Sequence, residues 1–265
     1  MTSVRAQPLR ARPLRDATTL CLLGVPPEAV ARRLALTTDE RQALARVPVP
    51  AWSVDPYRLP RLLQAALEAS PGTTALLLAV TDFAALCAAA TQTEALVDIV
   101  QGRALIPELV APLAAKCLTG PALDVWALEA AGRGAAPVSA PGQVRVTCAL
   151  VQAAAGAEAW SADAAQALST RGFEGLVTWA AAEDATRRLS PTERGWVAVG
   201  RGAHRGRLER LEAPLADLLR WIGEGRAESE VSAHLLEDDD LDADTVSELL
   251  REWSADGLIQ ANTLS

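Results

Sequence analysis

The chain has 265 residues, 50% of them hydrophobic, and a formal net charge of −8 at pH 7. That length builds two modest domains or one large one, and the negative balance argues against non-specific nucleic-acid binding. No stretch approaches the roughly 20 consecutive apolar residues of a membrane span, and Cys21, Cys87, Cys117 and Cys148 form no Cys-x-x-Cys pair, so zinc-knuckle and thioredoxin motifs are excluded and the cysteines read as core thiols in a reducing cytosol.

Residues 1 to 15 carry Arg5, Arg10, Arg12 and Arg15 and are expected to form a disordered basic tail. The apolar run that follows, Thr19 to Val25, is too short and too late for a signal peptide. Residues 16 to 131 read as an all-helical domain of consecutive short helices, rich in Ala, a strong helix former. Pro26-Pro27 opens one helix, and Thr38 is placed as the cap of the next, over Asp39 and Glu40. Leu59, Leu62, Leu63, Ala66 and Leu67 make the i, i+3, i+4, i+7, i+8 stripe of an amphipathic helix, which Pro71-Gly72 breaks. Further helical runs are expected over 73 to 90, 93 to 100, 104 to 118 and 121 to 131.

Between Gly132 and Gly142 the chain is Gly, Pro, Ala and Ser rich, so a linker and the domain boundary are placed at 132 to 143. Strand-like segments occur only after it. Gln143 to Val151 is the first, and Leu176 to Ala180 a weaker one. Gly195 to Gly200 and Gly206 to Leu211 form a hairpin around Arg201 to Arg205.

The C-terminal module begins with Pro214 in a first helical turn. Leu215, Leu218, Leu219 and Ile222 share one face, and Gly223 ends it. A second helix covers Glu228 to Glu237. For the third, Asp242 is the N-cap, Leu241 and Val246 occupy the positions of a hydrophobic staple, and Val246, Leu249, Leu250 and Trp253 form the apolar stripe. Gly257 then stands at a left-handed C-cap with Leu258 returning to Trp253 as in a Schellman closure. Strands, three short helices and a short apolar end are the order of a winged helix-turn-helix with its sheet leading. The fold class is therefore α+β, mostly α, with a winged-helix domain over 144 to 265. Yet from Ile222 to Ser265 there are twelve Asp or Glu against two Arg, while the other 221 residues hold 23 basic and 21 acidic groups. A recognition helix aimed at DNA should be basic, so this module is expected to grip something else.

No catalytic constellation is present in the sequence. His204 and His234 belong to no His-x-x-x-His or His-Glu-x-x-His pair and read as surface or satisfied histidines. Glu237-Asp238-Asp239-Asp240 with Asp242 and Asp244 lacks the Gly and Glu positions of an EF-hand loop. It reads as a solvated acidic loop favouring the next helix N-terminus, with a seat for a basic partner as the alternative. Gly132-Arg133-Gly134 and Gly200-Arg201-Gly202 lack a phosphate loop's context. Trp126 and Trp253 read as core, whereas Trp221, beside its helix's apolar face, is a modest candidate for a peptide contact.

Short motifs in a consistent order resemble the HvfC-like proteins and their relative MbnC of methanobactin biosynthesis. Tyr57-Arg58 stands before Leu62-Leu63, followed by Leu76-Leu77-Leu78-Ala79 and Phe83. Leu123-Asp124-Val125-Trp126-Ala127-Leu128-Glu129 looks like the family's Leu-x-Asp-Val-Ala-x-Leu-Glu helix, and Arg210-Leu211 precede Ala216-Asp217-Leu218-Leu219. The chain departs from the pattern at Ala79, where the family has Gly, and it lacks a His-Pro between Phe83 and Leu123; the likeness covers about residues 40 to 131 and 195 to 260 and does not place residues 144 to 194. The resemblance implies a non-catalytic, cytoplasmic partner of a TIM-barrel multinuclear iron oxidative enzyme. Such a partner holds the leader of a ribosomally made precursor peptide and forms a heterodimer with the enzyme. It implies no cofactor in this chain, iron in the enzyme, and neither nucleic acid nor membrane as partner.

In such a module a peptide adds as a strand to a sheet edge, with the third helix as the other wall. The expected site is Arg207, Leu208, Glu209, Arg210 and Leu211 on the edge, with Val246, Glu248, Leu249, Arg251 and Glu252 on the helix; no catalytic or metal residue is assigned. An isolated 190 to 265 fragment is expected to bind the leader, and reversing the charge of Arg210 or Arg251 is expected to weaken that binding. The alternatives are a DNA-binding regulator using Arg201, Arg205, Arg207 and Arg210, and an enzyme whose site one sequence does not reveal.

Overall fold

In the computed structural model the described residues are 13–135, 143–223, 225–237 and 242–261. Among them the chain is mostly helical, with two small antiparallel sheets. Its contacts divide it into two compact units, Met1–Ser70 with Leu77–Cys117, and Pro71–Leu76 with Leu118–Ser265.

The described part of the first unit is entirely helical: α1 (Pro13–Leu22), α2 (Pro27–Arg33), α3 (Thr38–Ala45), α4 (Val49–Trp52), α5 (Arg58–Glu68), the end of α6 (Pro71–Val80), α7 (Phe83–Ala90), α8 (Glu94–Val100) and, after a 3-10 turn at Ile106–Leu109, α9 (Val110–Cys117). The stripe on α5 buries Leu59, Leu63, Ala66 and Leu67, and Leu20, Val30, Leu86, Leu96, Leu109 and Leu113 complete the core. Helix α3 is capped by Thr37 rather than Thr38. Thr37 Oγ1 accepts from the Glu40 N–H at 3.3 Å and the Glu40 carboxylate accepts from the Thr37 N–H at 2.8 Å. A capping box needs its acid three residues after the cap, and only Thr37 stands three before Glu40. The run expected over 73 to 90 is two helices, because Asp82 accepts from the Ala85 N–H at 2.6 Å and caps α7. Of the expected basic tail, residues 13–15 belong to α1 and residues 1–12 lie outside the described residues.

The second unit holds α10 (Pro121–Ala131), β1 (Gln143–Val146), β2 (Ala149–Ala154), α11 (Ala157–Ala182), α12 (Ala185–Arg188), β3 (Arg194–Val199), β4 (Leu208–Leu211), α13 (Ala213–Ile222), β5 (Arg226–Ala227), α14 (Glu228–Leu235), α15 (Ala243–Ala255) and β6 (Ile259–Ala261). Strands β2-β3-β4 form one sheet and β5-β1-β6 the other. In the first sheet, Val197 faces Arg210 and Val151, and Ala198 faces Glu209 and Leu150. Because side chains alternate along a strand, the face bearing Ala198 and Leu211 enters a core with Val144, Leu219, Ile222, Val231, Val246 and Leu250. Helices α10 and α11 also pack on this sheet.

The division of the chain falls after Cys117, not within 132 to 143, because α10 belongs to the sheet. Asp124 on α10 accepts from the Ala154 N–H at 3.0 Å and pairs with Arg194 at 2.8 Å. Glu129 on the same helix receives the Gly72 N–H at 2.7 Å, the Thr73 N–H at 2.9 Å and the Thr73 hydroxyl at 2.6 Å, while the Trp160 indole N–H donates to the Gly72 carbonyl at 3.0 Å. These bonds hold Pro71–Leu76 in the second unit. Residues 136–142 of the expected linker lie outside the described residues.

Gln143 to Val151 is not one strand. It divides at Thr147-Cys148 between the two sheets. Leu176 to Ala180 is helical; Leu176 and Ala180 bury together four residues apart, which is helical spacing. Helix α11 itself breaks at Gly172, whose φ of 66° and ψ of −166° suit a residue without Cβ. Its two arms fold back so that Trp179 meets Trp160, ring centroids 4.8 Å apart.

Candidate functional site

Helix α15 forms for local reasons. The Asp242 carboxylate accepts from the Thr245 N–H at 2.8 Å and caps it, which holds that carboxyl below its usual range. At the other end Gly257 has φ 74°, and the Leu258 N–H donates to the Trp253 carbonyl at 2.9 Å, the long bond of a Schellman closure. The His204 ring lies against Gly257 where a Cβ would sit, and Thr147 Oγ1 donates to the Gly257 carbonyl at 2.9 Å. The staple residue Leu241 and the acidic residues 238–240 lie outside the described residues.

Of the helix residues expected to meet a peptide, Val246 is 2% exposed and belongs to the core, out of a ligand's reach. Leu249 is half-buried. Glu248, Arg251 and Glu252 are exposed, and Glu248 pairs with Arg251 at 3.1 Å. The outward face is therefore acidic, with Asp244 and Glu252 uncompensated among the described residues.

Strand β4 is an edge: it pairs with β3 on one side and with no strand on the other among the described residues. The Gly200 N–H donates to the Arg207 carbonyl at 2.8 Å, which makes that pair hydrogen-bonded. In an antiparallel ladder hydrogen-bonded and non-bonded pairs alternate. Glu209 and Leu211 thus point their backbone groups at β3, whereas those of Leu208 and Arg210 point outward. Leu208 is half-buried and Leu211 buried.

The arginines on this edge are already engaged. Arg210 lies bidentate on Glu158 of α11, at 2.7 and 2.8 Å, and donates to the Ala154 carbonyl at 3.1 Å. That pairing holds the Glu158 carboxyl below its ordinary range. Arg207 pairs with Asp256 at the end of α15, at 3.0 Å, and with Glu209 at 3.3 Å. Arg201 donates to the Ala131 carbonyl at 3.2 Å. Of the four arginines a DNA contact would use, Arg205 alone is exposed and without a partner among the described residues. Arg207, just before β4, pairs with Asp256, just after α15, while α15 itself packs on β6 and α14 and into the core. The expected groove between them is thus closed at that end. Trp221 is also taken up, its ring stacked on His234 at 4.5 Å and capped by Arg226 at 4.6 Å.

Sequence reasoning missed Glu158, Asp256 and His204, which fix the edge. No local spacing signals them, since Glu158 and Asp256 lie 52 and 49 residues from their arginines. All four cysteines are free, and burial pushes the Cys21 and Cys148 thiols up to about 11. Among the described residues no group of three or more His, Cys, Asp or Glu is placed to hold a metal ion, and no single helix is long and apolar enough to cross a membrane. No family model, curated protein or solved structure matches the chain.

Proposed function

We propose that the chain is a peptide-binding partner protein, whose second unit packs a winged-helix-like module, α13 to α15 with the β5-β1-β6 sheet, on one core with the β2-β3-β4 sheet and captures a basic leader peptide by strand addition to β4. The observation that carries this reading is the open edge, with the Leu208 and Arg210 backbone groups directed away from β3. Edge pairing supplies main-chain hydrogen bonds to any extended peptide, and neighbouring side chains select among sequences. Arg207, just before β4, and Arg210, within it, are both pinned by ion pairs, so the edge is preorganised and little ordering entropy is lost on binding. The uncompensated acids of α15 favour Lys or Arg in the peptide and repel a phosphate backbone.

Two further features support the module. Helices α13, α14 and α15 follow one another with short strands between and after them, and β1 completes their sheet, as in a winged helix with a strand supplied from upstream. Function as an accessory subunit of a TIM-barrel multinuclear iron oxidative enzyme extends the likeness to the HvfC and MbnC proteins. A DNA-binding role is less well supported, because three of its four candidate cations are spent inside the protein.

The test uses the whole chain. A 190 to 265 fragment would lack β1, the central strand of its own sheet, and β2, the partner of β3. Peptides encoded beside the gene are titrated into the protein, alone and with the enzyme that co-purifies. Saturable binding that protects the amides of 208–211 from exchange supports the proposal; no binding in either setting overturns it. Charged edges also guard sheets against uncontrolled pairing, and that role alone gives no sequence-selective binding.

A further inference from the structure

A cleft of about 460 Å³ in the first unit is lined by Cys21, Val25, Trp52, Leu59 and Cys87, and its acid, Asp55, is already paired with Arg58 and Arg61. Nothing there identifies an occupant. The notch between the two arms of α11 differs. It has a volume of about 310 Å³, at the lower limit of small-molecule sites, and is lined by Asp163, Ala167, Thr170 and Arg171 on the first arm and by Gly175 and Trp179 on the second.

Its charges are unevenly satisfied. Asp163 is bound by Arg188, which also pairs with Glu183 at 3.3 Å and lies 5.9 Å from the centre of the Trp179 ring. Gln166 donates to Thr170 at 3.0 Å. Arg171 is exposed and has no partner among the described residues. Its aliphatic stem lies over Gly175, in the space a side chain there would fill. Arg188 is thus shared by two carboxylates, and Arg171 is the lining guanidinium that remains without a partner among the described residues. Trp179 follows Gly175 by one helical turn, about 5 to 6 Å, and is half-buried.

We propose that this notch binds a small carboxylate with an aromatic ring, its carboxylate on Arg171 and its ring on Trp179. The guanidinium fork matches a carboxylate, and an indole face accepts a planar ring by offset stacking. Arg171 and Trp179 line the same notch, so one small ligand carrying both a carboxylate and a ring can reach the two. The site is separate from the β4 edge and does not depend on peptide binding there.

The probe is 4-fluorophenylacetate, added to the full chain and followed by fluorine NMR. Saturable line broadening is expected. Arg171→Gln, which keeps the stem over Gly175, should weaken binding about two- to fivefold, the effect of losing one solvent-exposed charge pair. On the wild-type protein 4-fluorobenzyl alcohol, of similar size but uncharged, should bind weaker by a similar factor. No saturable binding, equal binding of acid and alcohol, or unchanged affinity in a folded Arg171→Gln protein would overturn the proposal.

Discussion

Replacing Glu129 should loosen the second unit more than any surface change. Its buried carboxylate satisfies the Gly72 and Thr73 amides and the Thr73 hydroxyl. In Glu129→Ala three buried donors lose their partner at about 1 to 1.5 kcal/mol each, or about 3 to 5 kcal/mol in total. At about 2 to 4 °C per kcal/mol for a protein of this size, the second unit's transition should fall by about 10 °C. Glu129→Gln keeps one acceptor but turns an NH2 toward a donor, so it should cost less, about 1 to 3 kcal/mol. Burial raises the Glu129 carboxyl above its ordinary 4.5, against the opposing pull of those hydrogen bonds. The folded state then holds the proton more tightly than the unfolded chain. Its contribution is fullest below 4.5 and declines as the pH rises from there through the folded value; Glu129→Gln should lack that slope. Chemical denaturation across pH 4 to 8, with hydrogen exchange at Pro71–Leu76, measures both effects. A Glu129→Ala protein within about 1 kcal/mol of wild type, its exchange unchanged, would refute the reasoning.

Three further outcomes follow from the same geometry. Gly257→Ala places a methyl in a left-handed backbone and against the His204 ring, and should cost about 2 to 4 kcal/mol, read by denaturation. A double-mutant cycle on Arg210→Gln and Glu158→Gln should give a coupling of about 1 to 2 kcal/mol, since the pair is bidentate but partly solvated. Glu158 lies below its ordinary 4.5, so the coupling should be present above that pH and fade as the pH falls through the lowered folded value. Native Cys21 and Cys148, with thiols pushed up to about 11, should alkylate far more slowly at pH 8 than in denaturant, as peptide mass mapping would show.

What could be read from the sequence was local. The Asp242 cap and Gly257 closure of α15, the α5 stripe and the β3–β4 hairpin each depend on residues within a few positions. Long-range pairing was hidden. Nothing near Gln143 says that its strand ends at Thr147 and that the chain then joins another sheet. Nothing near Leu123 says that α10 serves the sheet and not the helices before it. The side-chain roles on β4 failed for the same reason. Arg207 and Arg210 look like free reading groups until Asp256 and Glu158 are placed beside them. Val246 stands both on the apolar stripe and among the expected ligand contacts, and the stripe explains its 2% exposure.

The most direct test of peptide capture at β4 is Leu208→Pro. The Leu208 N–H points away from β3, so proline there removes an outward donor and raises a ring toward an incoming strand while sparing the β3–β4 ladder. Measured on the full chain with a leader peptide encoded beside the gene, affinity should fall about tenfold or more, with circular dichroism and melting close to wild type. Arg251→Glu leaves the edge intact, and because Arg251 is paired with Glu248 on an acidic face it should tighten binding of a basic leader, contrary to the weakening expected from the sequence. A peptide that binds Leu208→Pro as tightly as wild type, or that leaves the 208–211 amides unprotected, would contradict strand addition at this edge.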